Sequence, residues 1–307
     1  MLAVGGGPGC PEEMPEFPEV LAIFGPTASG KSAVAEMLAE RFGTEVVSAD
    51  ALQVYRGLPI LTNQPARPTR LVAIRGLDEE MSVGAYARLA HDAVDELVRE
   101  KGVAVVVGGT GLYLRAALAD LRLPPAPGAG TRDRWERAYD ADPLAAHARL
   151  AALDRPAAAT VHPNDRRRVV RALELAEAGA SLAPEHDRLW SHETRRPTVI
   201  AGLEVPRHTL DERIRERAEA MLAAGAVEEA RTAVAAGVSR TAEKALGLRE
   251  LASLPVSEAL ERIVVRTRRY AAYQRKWMRR IPGIVMIDAD RPANEVADAI
   301  LEVARAR

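Results

Sequence analysis

The chain has 307 residues, with 42 Lys plus Arg against 43 Asp plus Glu, a formal net charge of −1. Hydrophobic residues make up 48% and charged residues 28%, enough apolar surface for a sizeable core, so a globally disordered chain and a wholly basic nucleic-acid binder are both excluded. No apolar run reaches the ~18 residues of a membrane span, and a single cysteine, Cys10, excludes a disulfide framework and a Cys-based zinc site and points to a reducing cytoplasm.

Residues 1–18 carry no Lys or Arg and no apolar signal core, so they read as a flexible tail. Val20 to Phe24 is a short apolar run ending in Gly25 and reads as a buried parallel strand. Helical spacing follows over 31–42, with Val34, Met37, Leu38 and Phe42 on one side. Further strands are expected at 45–48, 71–74, 103–107, 199–203 and 284–287. Helical patterns occupy 83–100, 208–223, 257–280 and 293–305. Strand alternating with helix predicts an α/β fold, a parallel sheet flanked by helices.

The alternation breaks between about 120 and 196. Pro124, Pro125 and Pro127 with Gly128 and Gly130 mark a hinge-like linker, and the Ala-, Arg- and Asp-rich stretch beyond reads as helices only. It closes at Arg195-Arg196-Pro197. The expected organisation is a core of 19–119 and 197–307 with a helical insertion domain at 120–196.

Gly25-Pro26-Thr27-Ala28-Ser29-Gly30-Lys31-Ser32 matches G-x-x-x-x-G-K-[ST], between an apolar strand and a helix, which is the context that gives this motif meaning. The glycines let backbone N–H groups converge on phosphate oxygens, the helix N-terminus adds a favourable field, Lys31 adds a point charge, and Ser32 can ligate Mg²⁺. The fold class is therefore a P-loop NTPase-like sheet that binds a di- or triphosphate. Nucleotide-hydrolysing P-loop proteins hold Mg²⁺ with an Asp on a second strand. The strand at 103–107 instead ends in Gly108-Gly109-Thr110, with no acid. The acid comes at Asp50, after Val46-Val47-Ser48, at a strand's carboxyl end where doubly wound sheets bind ligands. It suits a metal ligand, a general base or a simple helix cap.

Taken together the motifs resemble one family, the tRNA dimethylallyltransferases, also called tRNA isopentenyltransferases. The matching stretches are GPTASGKS at 25–32, SADALQVYRGL at 48–58, GGTGLYLRAAL at 108–118 and VHPNDRRRVVRALE at 161–174. They continue with LDERIRERAEAML at 210–222, TAEKALGLREL at 241–251 and TRRYAAYQRKWMRR at 267–280. The resemblance implies transfer of the dimethylallyl group of dimethylallyl diphosphate to N6 of the adenosine 3′ to a tRNA anticodon, with Mg²⁺ as cofactor. It further implies that Thr27, Lys31 and Arg217 hold the diphosphate and Ser32 positions the metal. Asp50 would be the general base, Thr110 its polar partner near the amine, and Gln53 the reader of an adenine edge, with Tyr55 in the same block. Taken alone, Arg217 would be a solvated helix residue, Thr110 a helix cap and Gln53 a surface residue.

Residues 266–280 hold seven basic residues and no acid, interleaved with Tyr270, Tyr273 and Trp277 at helical spacing. Aromatics facing inward with Arg275, Lys276, Arg279 and Arg280 facing outward onto phosphates would make a salt-sensitive tRNA-binding face. A second basic cluster, Arg166-Arg167-Arg168, follows His162-Pro163-Asn164-Asp165, where Asn164 or Asp165 suits a helix cap. The insertion would grip the anticodon arm, since N6 of a paired adenine is hidden in the duplex and the target base must be unpaired.

Two segments depart from the family pattern. Leu61-Thr62-Asn63-Gln64-Pro65 lacks the lysine usual after the Tyr-Arg-Gly step in bacterial members, and 68–73 lacks the usual histidine and aspartate. Competing readings are a P-loop small-molecule kinase, which leaves the basic aromatic segment unexplained, an adenylate prenyltransferase, which needs no RNA-gripping insertion, and a non-catalytic binder, which the presence of Asp50 disfavours. A monomer is expected, because one tRNA arm would occupy both lobes.

Overall fold

The computed structural model describes residues 17–121, 128, 130–183 and 188–306. Cys10, nearly all of the expected tail and the three prolines of the expected linker lie outside the described residues.

The chain runs β1 (Val20–Phe24), α1 (Lys31–Phe42), β2 (Val46–Ser48), β3 (Thr69–Arg70), α2 (Val83–Lys101), β4 (Ala104–Gly108) and α3 (Gly111–Leu118). Then come α4 (Thr131–Ala141), α5 (Pro143–Leu153), α6 (Arg155–Thr160) and α7 (Arg166–Glu177). It closes with β5 (Thr198–Glu204), α8 (Arg207–Ala223), α9 (Ala226–Ala236), α10 (Leu248–Ser253), α11 (Val256–Met278), β6 (Val285–Asp288) and α12 (Ala293–Arg305). The strands form one sheet in the order β3-β2-β4-β1-β5-β6, every neighbouring pair parallel.

The unbroken apolar character of β1 follows from burial on both faces. Val20, Ala22 and Phe24 enter a core shared with α2, α3 and α11, while Leu21 and Ile23 enter a second core shared with α1 and α12. Successive side chains of a strand point to opposite faces, so one five-residue run feeds both layers.

One expected strand is displaced. β3 is confined to Thr69–Arg70, and Leu71 and Ala73 adopt positive φ of 65° and 53°, which breaks an extended run over 71–74. The backbone there has a better partner than the sheet edge. Ala73 N–H donates to Gln53 O, and the N–H groups of Ile74 and Arg75 donate to Val54 O. Helices α9 and α10, which the periodicity alone did not mark, pack Ala226, Ala230, Leu248 and Leu251 into the core on the α2 side.

Helices α4 to α7 gather around a separate apolar cluster of Tyr139, Leu150, Ala157, Val169 and Leu173. Aspartates set the starts of three of them. Asp142 accepts from Leu144 and Ala145 N–H at 2.9 Å, Asp154 from Ala157 N–H at 3.0 Å, and Asp165 from Arg168 N–H at 3.1 Å. The Glu174 side chain is buried and binds Arg132 of α4 at 2.6 Å and Arg171 at 3.0 Å, which fixes α4 on α7. The exit of this helical segment is fastened to the core by Arg115 of α3. Its guanidinium is fully buried and donates to the carbonyls of Leu189 (2.9 Å), Ser191 (3.0 Å) and Glu193 (3.3 Å). Arg196 adds ion pairs to Asp95 and Glu19, both at 2.7 Å.

Candidate active site at the strand ends

After β1 the chain first builds the β2, β3 and β4 side of the sheet and later returns to build β5 and β6 on the other. The carboxyl end of β1 is thus the switch point where open α/β sheets bind ligands. The phosphate loop occupies it. A Cβ at Gly25 would lie 2.6 Å from Ser29 Oγ, and the loop turns through Ala28 (φ 65°) and Gly30 (φ 81°). No side chain caps α1, so its first N–H groups remain available to an anion.

A cleft opens in front of this loop. Thr27, Lys31 and Ser32 form one wall, Asp50 and Gln53 a second, and Arg217, Tyr270 and Gln274 a third. Lys31 arcs back over the loop, its Nζ donating to Pro26 O at 3.3 Å. Burial, helped by the neighbouring Arg217 charge and opposed by Asp50, brings its amine down to about 8. Burial also lowers Arg217, against the pull of Asp50. Arg217 Nη1 donates to Thr27 Oγ1 at 3.2 Å. Its helix neighbours behave differently: Arg213 pairs with Asp290 at 3.0 Å and Arg215 with Glu261 at 2.9 Å, both toward solvent. Of the three arginines in the run, only Arg217 turns into the cleft.

Asp50 follows β2. One carboxylate oxygen accepts from Leu52 N–H at 2.9 Å, and the other has no hydrogen-bond partner among the described residues. A close approach of two strand ends places it. Ala49 N–H donates to Val107 O at 2.6 Å, and a Cβ at Gly108 would lie 2.2 Å from Ala49 O. Only glycine permits that contact. Thr110 makes no side-chain cap to α3. Its hydroxyl accepts from Ala51 N–H at 3.5 Å and lies 3.4 Å from the Tyr270 hydroxyl, beside Asp50. Burial first, then Asp50, pushes the Tyr270 phenol up to about 12, so it stays protonated near neutral pH.

Two expected site residues have other work. Gln53 lines the cleft, but its amide is engaged: Ser48 Oγ donates to Oε1 at 2.8 Å, and Nε2 donates to Asn63 O at 2.9 Å and Thr62 O at 3.3 Å. It pins the altered 61–65 segment to the cleft wall, and an adenine edge could accept from this amide's NH₂ group only by displacing those bonds. Tyr55 is a correction. It is fully buried, its hydroxyl pairs with Thr241 Oγ1 at 2.6 Å and accepts from Met81 N–H at 3.1 Å, and it does not line the cleft.

Three residues absent from the expected site take part. Gln274 and Tyr270 line the cleft from the buried side of α11. Glu229 of α9 accepts from Ile60 N–H at 2.9 Å and Leu61 N–H at 2.8 Å, and so steadies the segment that carries Thr62 and Asn63 into the cleft. An amide amid apolar helix positions was the available signal for Gln274. Glu229 had none, because its partners lie about 170 residues away in sequence.

The aromatic stripe of α11 divides three ways. Tyr270 enters the cleft, Tyr273 is 55% exposed, and Trp277 packs on Trp190 with ring centroids 4.9 Å apart. Arg280 stacks over Trp190 at 4.0 Å. Arg275, Lys276 and Arg279 form no ion pair among the described residues, and neither do Arg167 and Arg168, whereas Arg166 is held by Asp140 at 2.6 Å. No group of three or more His, Cys, Asp or Glu that could hold a metal occurs among the described residues, and no described helix is long and apolar enough to cross a membrane.

A parallel sheet, a glycine-lined loop at the end of its β1 strand, and a half-buried lysine and arginine around that loop define a P-loop fold whose cleft opens at the strand ends. Comparison with known proteins narrows the class. A family model described as IPP transferase matches residues 53–281. A tRNA dimethylallyltransferase of Anaeromyxobacter sp. is 39% identical over 91% of this chain and 97% of its own length. One of Streptomyces coelicolor is 39% identical over 88% and 90%. The crystal structure of the full-length tRNA isopentenylpyrophosphate transferase of Bacillus halodurans aligns with a TM-score of 0.66 at 30% identity, over 94% of this chain and 95% of that one. The chain belongs to the IPP transferase family and is a prenyl-transferring enzyme.

Proposed function

We propose that this enzyme modifies tRNA, transferring the dimethylallyl group of dimethylallyl diphosphate to N6 of the adenosine 3′ to the anticodon and releasing diphosphate. The observation that carries the reading is the placement of Asp50, with one carboxylate oxygen unpartnered among the described residues, across one cleft from Lys31, Arg217 and the phosphate loop.

In the reaction the N6–C1 bond forms as the C1–O bond breaks, and the electron pair of that bond leaves with the diphosphate. Charge growing on the leaving oxygen would be met by the loop N–H groups, Lys31 and Arg217, which are already oriented and partly shielded from water. The adenine amine must lose a proton, and Asp50 is the carboxylate placed to take it. Tyr270, held protonated, and Thr110 stand beside Asp50 as hydrogen-bonding groups for the amine.

The donor set fits Mg²⁺. The ion is usually held by one hydroxyl or carboxylate together with substrate phosphate oxygens and water, and Ser32 and Asp50 both face the cleft in which a diphosphate would lie. When bound, it would neutralise charge on the diphosphate.

Two features favour RNA as acceptor over the small acceptor of a kinase. β4 ends at Gly108 and is followed by Gly109-Thr110, with no acid there for a nucleotide-bound metal. The exposed Arg167, Arg168, Lys276 and Arg279 lack carboxylate partners among the described residues, as a phosphate-binding surface requires. The enzyme would act as a cytoplasmic monomer, with α4 to α7 contacting the anticodon arm.

The test incubates the protein with Mg²⁺, dimethylallyl diphosphate and unmodified tRNA, with AMP and ATP in parallel, followed by nucleoside mass spectrometry. N6-dimethylallyladenosine from tRNA alone is the expected result. Product from AMP, or phosphate transfer from ATP, overturns the reading.

A further inference from the structure

Gln274 sits on the buried side of α11 and is 2% exposed. Its carboxamide bridges two pieces of backbone from distant parts of the chain. Thr27 N–H, within the phosphate loop, donates to Gln274 Oε1 at 2.8 Å, and Gln274 Nε2 donates to Gly109 O at 2.9 Å, immediately before Thr110. One planar amide thus spans the diphosphate loop and the strand end that carries the polar partner of Asp50. Neither bond belongs to a helix or sheet ladder.

A second observation comes from the partner. A Cβ on Gly109 would lie 2.3 Å from Gln274 Nε2 and 3.3 Å from Gly25 O. Gly109 has no positive φ, so it is not there to make a turn. The missing side chain is the space the amide occupies. Gly111, two residues on, similarly makes room for Trp277, whose ring would meet a Cβ at 2.2 Å. The two glycines that frame Thr110 are therefore seats for α11.

We propose that Gln274 is a positioning residue for diphosphate binding: its amide fixes the Thr27 N–H of the phosphate loop relative to Gly109 and so sets the distance between the leaving group and the Thr110 end of the site. This rests on the reading of the cleft as a diphosphate site. Thr27 also accepts from Arg217, so a loop residue released by loss of Gln274 takes the arginine's hydrogen bond with it. Both hydrogen-bonding atoms of the amide are committed to protein backbone.

The experiment uses the full chain with inorganic diphosphate and Mg²⁺ in calorimetry, and dimethylallyl diphosphate and tRNA in steady-state kinetics. Gln274→Met keeps the bulk and removes both hydrogen bonds. It is expected to weaken diphosphate binding and raise the KM for dimethylallyl diphosphate by about tenfold each, with the KM for tRNA within about twofold. Gly109→Ala should reproduce this shift by expelling the amide, and keeps the test alive should Gln274→Met fold poorly. In a Gln274→Ala background the added Gly109→Ala should cost much less than it does alone, because the 2.3 Å clash with the amide is gone and only the 3.3 Å approach to Gly25 O remains. Unchanged diphosphate binding in Gln274→Met overturns the proposal, as do equal losses toward both substrates or fully additive effects of the two alanine changes. Wild-type protein that binds diphosphate but does not prenylate tRNA overturns the proposed function and leaves this inference standing.

Discussion

In the cleft, Lys31 and Arg217 lie half-buried against the phosphate loop, and both feel Asp50 across the space between the strand ends. On α7 and at the end of α11, arginines of the same chemical type stand in solvent, some balanced by carboxylates and some not. The cleft spends desolvation to make a few charges strong, whereas the outer surface leaves charges hydrated and relies on number. Removing one cleft charge should therefore be felt in the chemistry, and removing one outer charge should be felt in salt-dependent affinity. Arg215 and Arg217 stand two residues apart on α8 and fall on opposite sides of this division.

Asp50→Ala gives the largest expected effect. Prenyl transfer should fall by about 10²–10⁴-fold, the usual range for a general base, while tRNA dissociation stays within about twofold. Near-normal turnover in this variant would remove Asp50 from the role of base. Arg217→Gln is next, with a loss of about 10²-fold expected in single-turnover rate. Its neighbour sharpens the contrast: Arg215→Gln should leave rate and stability essentially unchanged, because its pair with Glu261 is exposed.

On the outer surface, Lys276→Ala combined with Arg279→Ala should reduce the slope of log affinity for tRNA against log salt by about 1.4–1.8. Arg166→Ala should leave that slope nearly unchanged, since Asp140 already neutralises this arginine. Filter binding across a salt series separates the two. Equal slopes in both variants would dissolve the distinction between paired and unpaired outer arginines.

The smallest effect concerns Lys31. Its folded value of about 8 lies below the ordinary 10.5, so the buried amine is charged at pH 7 and loses its proton as pH rises through 8. In the free protein the cost of burying that charge is present below pH 8 and is relieved between 8 and 10.5, so stability gains there as pH rises. Diphosphate binding has the opposite sign because it needs the charged form. Affinity should fall by about fourfold between pH 7 and 8.5, with proton uptake on binding near pH 8 detectable by calorimetry in buffers of different ionisation enthalpy. A flat pH profile would mean that Lys31 does not contact the anion.

The loop 25–32 and Asp50 were readable from the chain because each depends on local order: a strand, a turn through glycine, and the start of a helix. The edge strand was misplaced because the 71–74 run is apolar enough for a strand but finds its hydrogen bonds on the 53–54 backbone. Tyr55 could not be placed from its motif, since a tyrosine in a matching block reads the same whether it faces a ligand or Thr241 and Met81. Gln53 shows the same gap, its amide being filled by Ser48, Thr62 and Asn63.

By itself the sequence determined the parallel α/β core, the glycine loop between β1 and α1, the acid that follows β2 and the basic surface of α11, because periodicity, glycine spacing and charge are properties of neighbouring residues. Only the tertiary structure decided which arginine of α8 enters the cleft, that Gly108 and Gly109 make room for Ala49 O and Gln274, and that Glu229 holds the segment from Ile60 onward. Those outcomes rest on contacts between residues far apart in the chain, where a difference of about one ångström in backbone approach decides whether a side chain faces solvent, core or substrate.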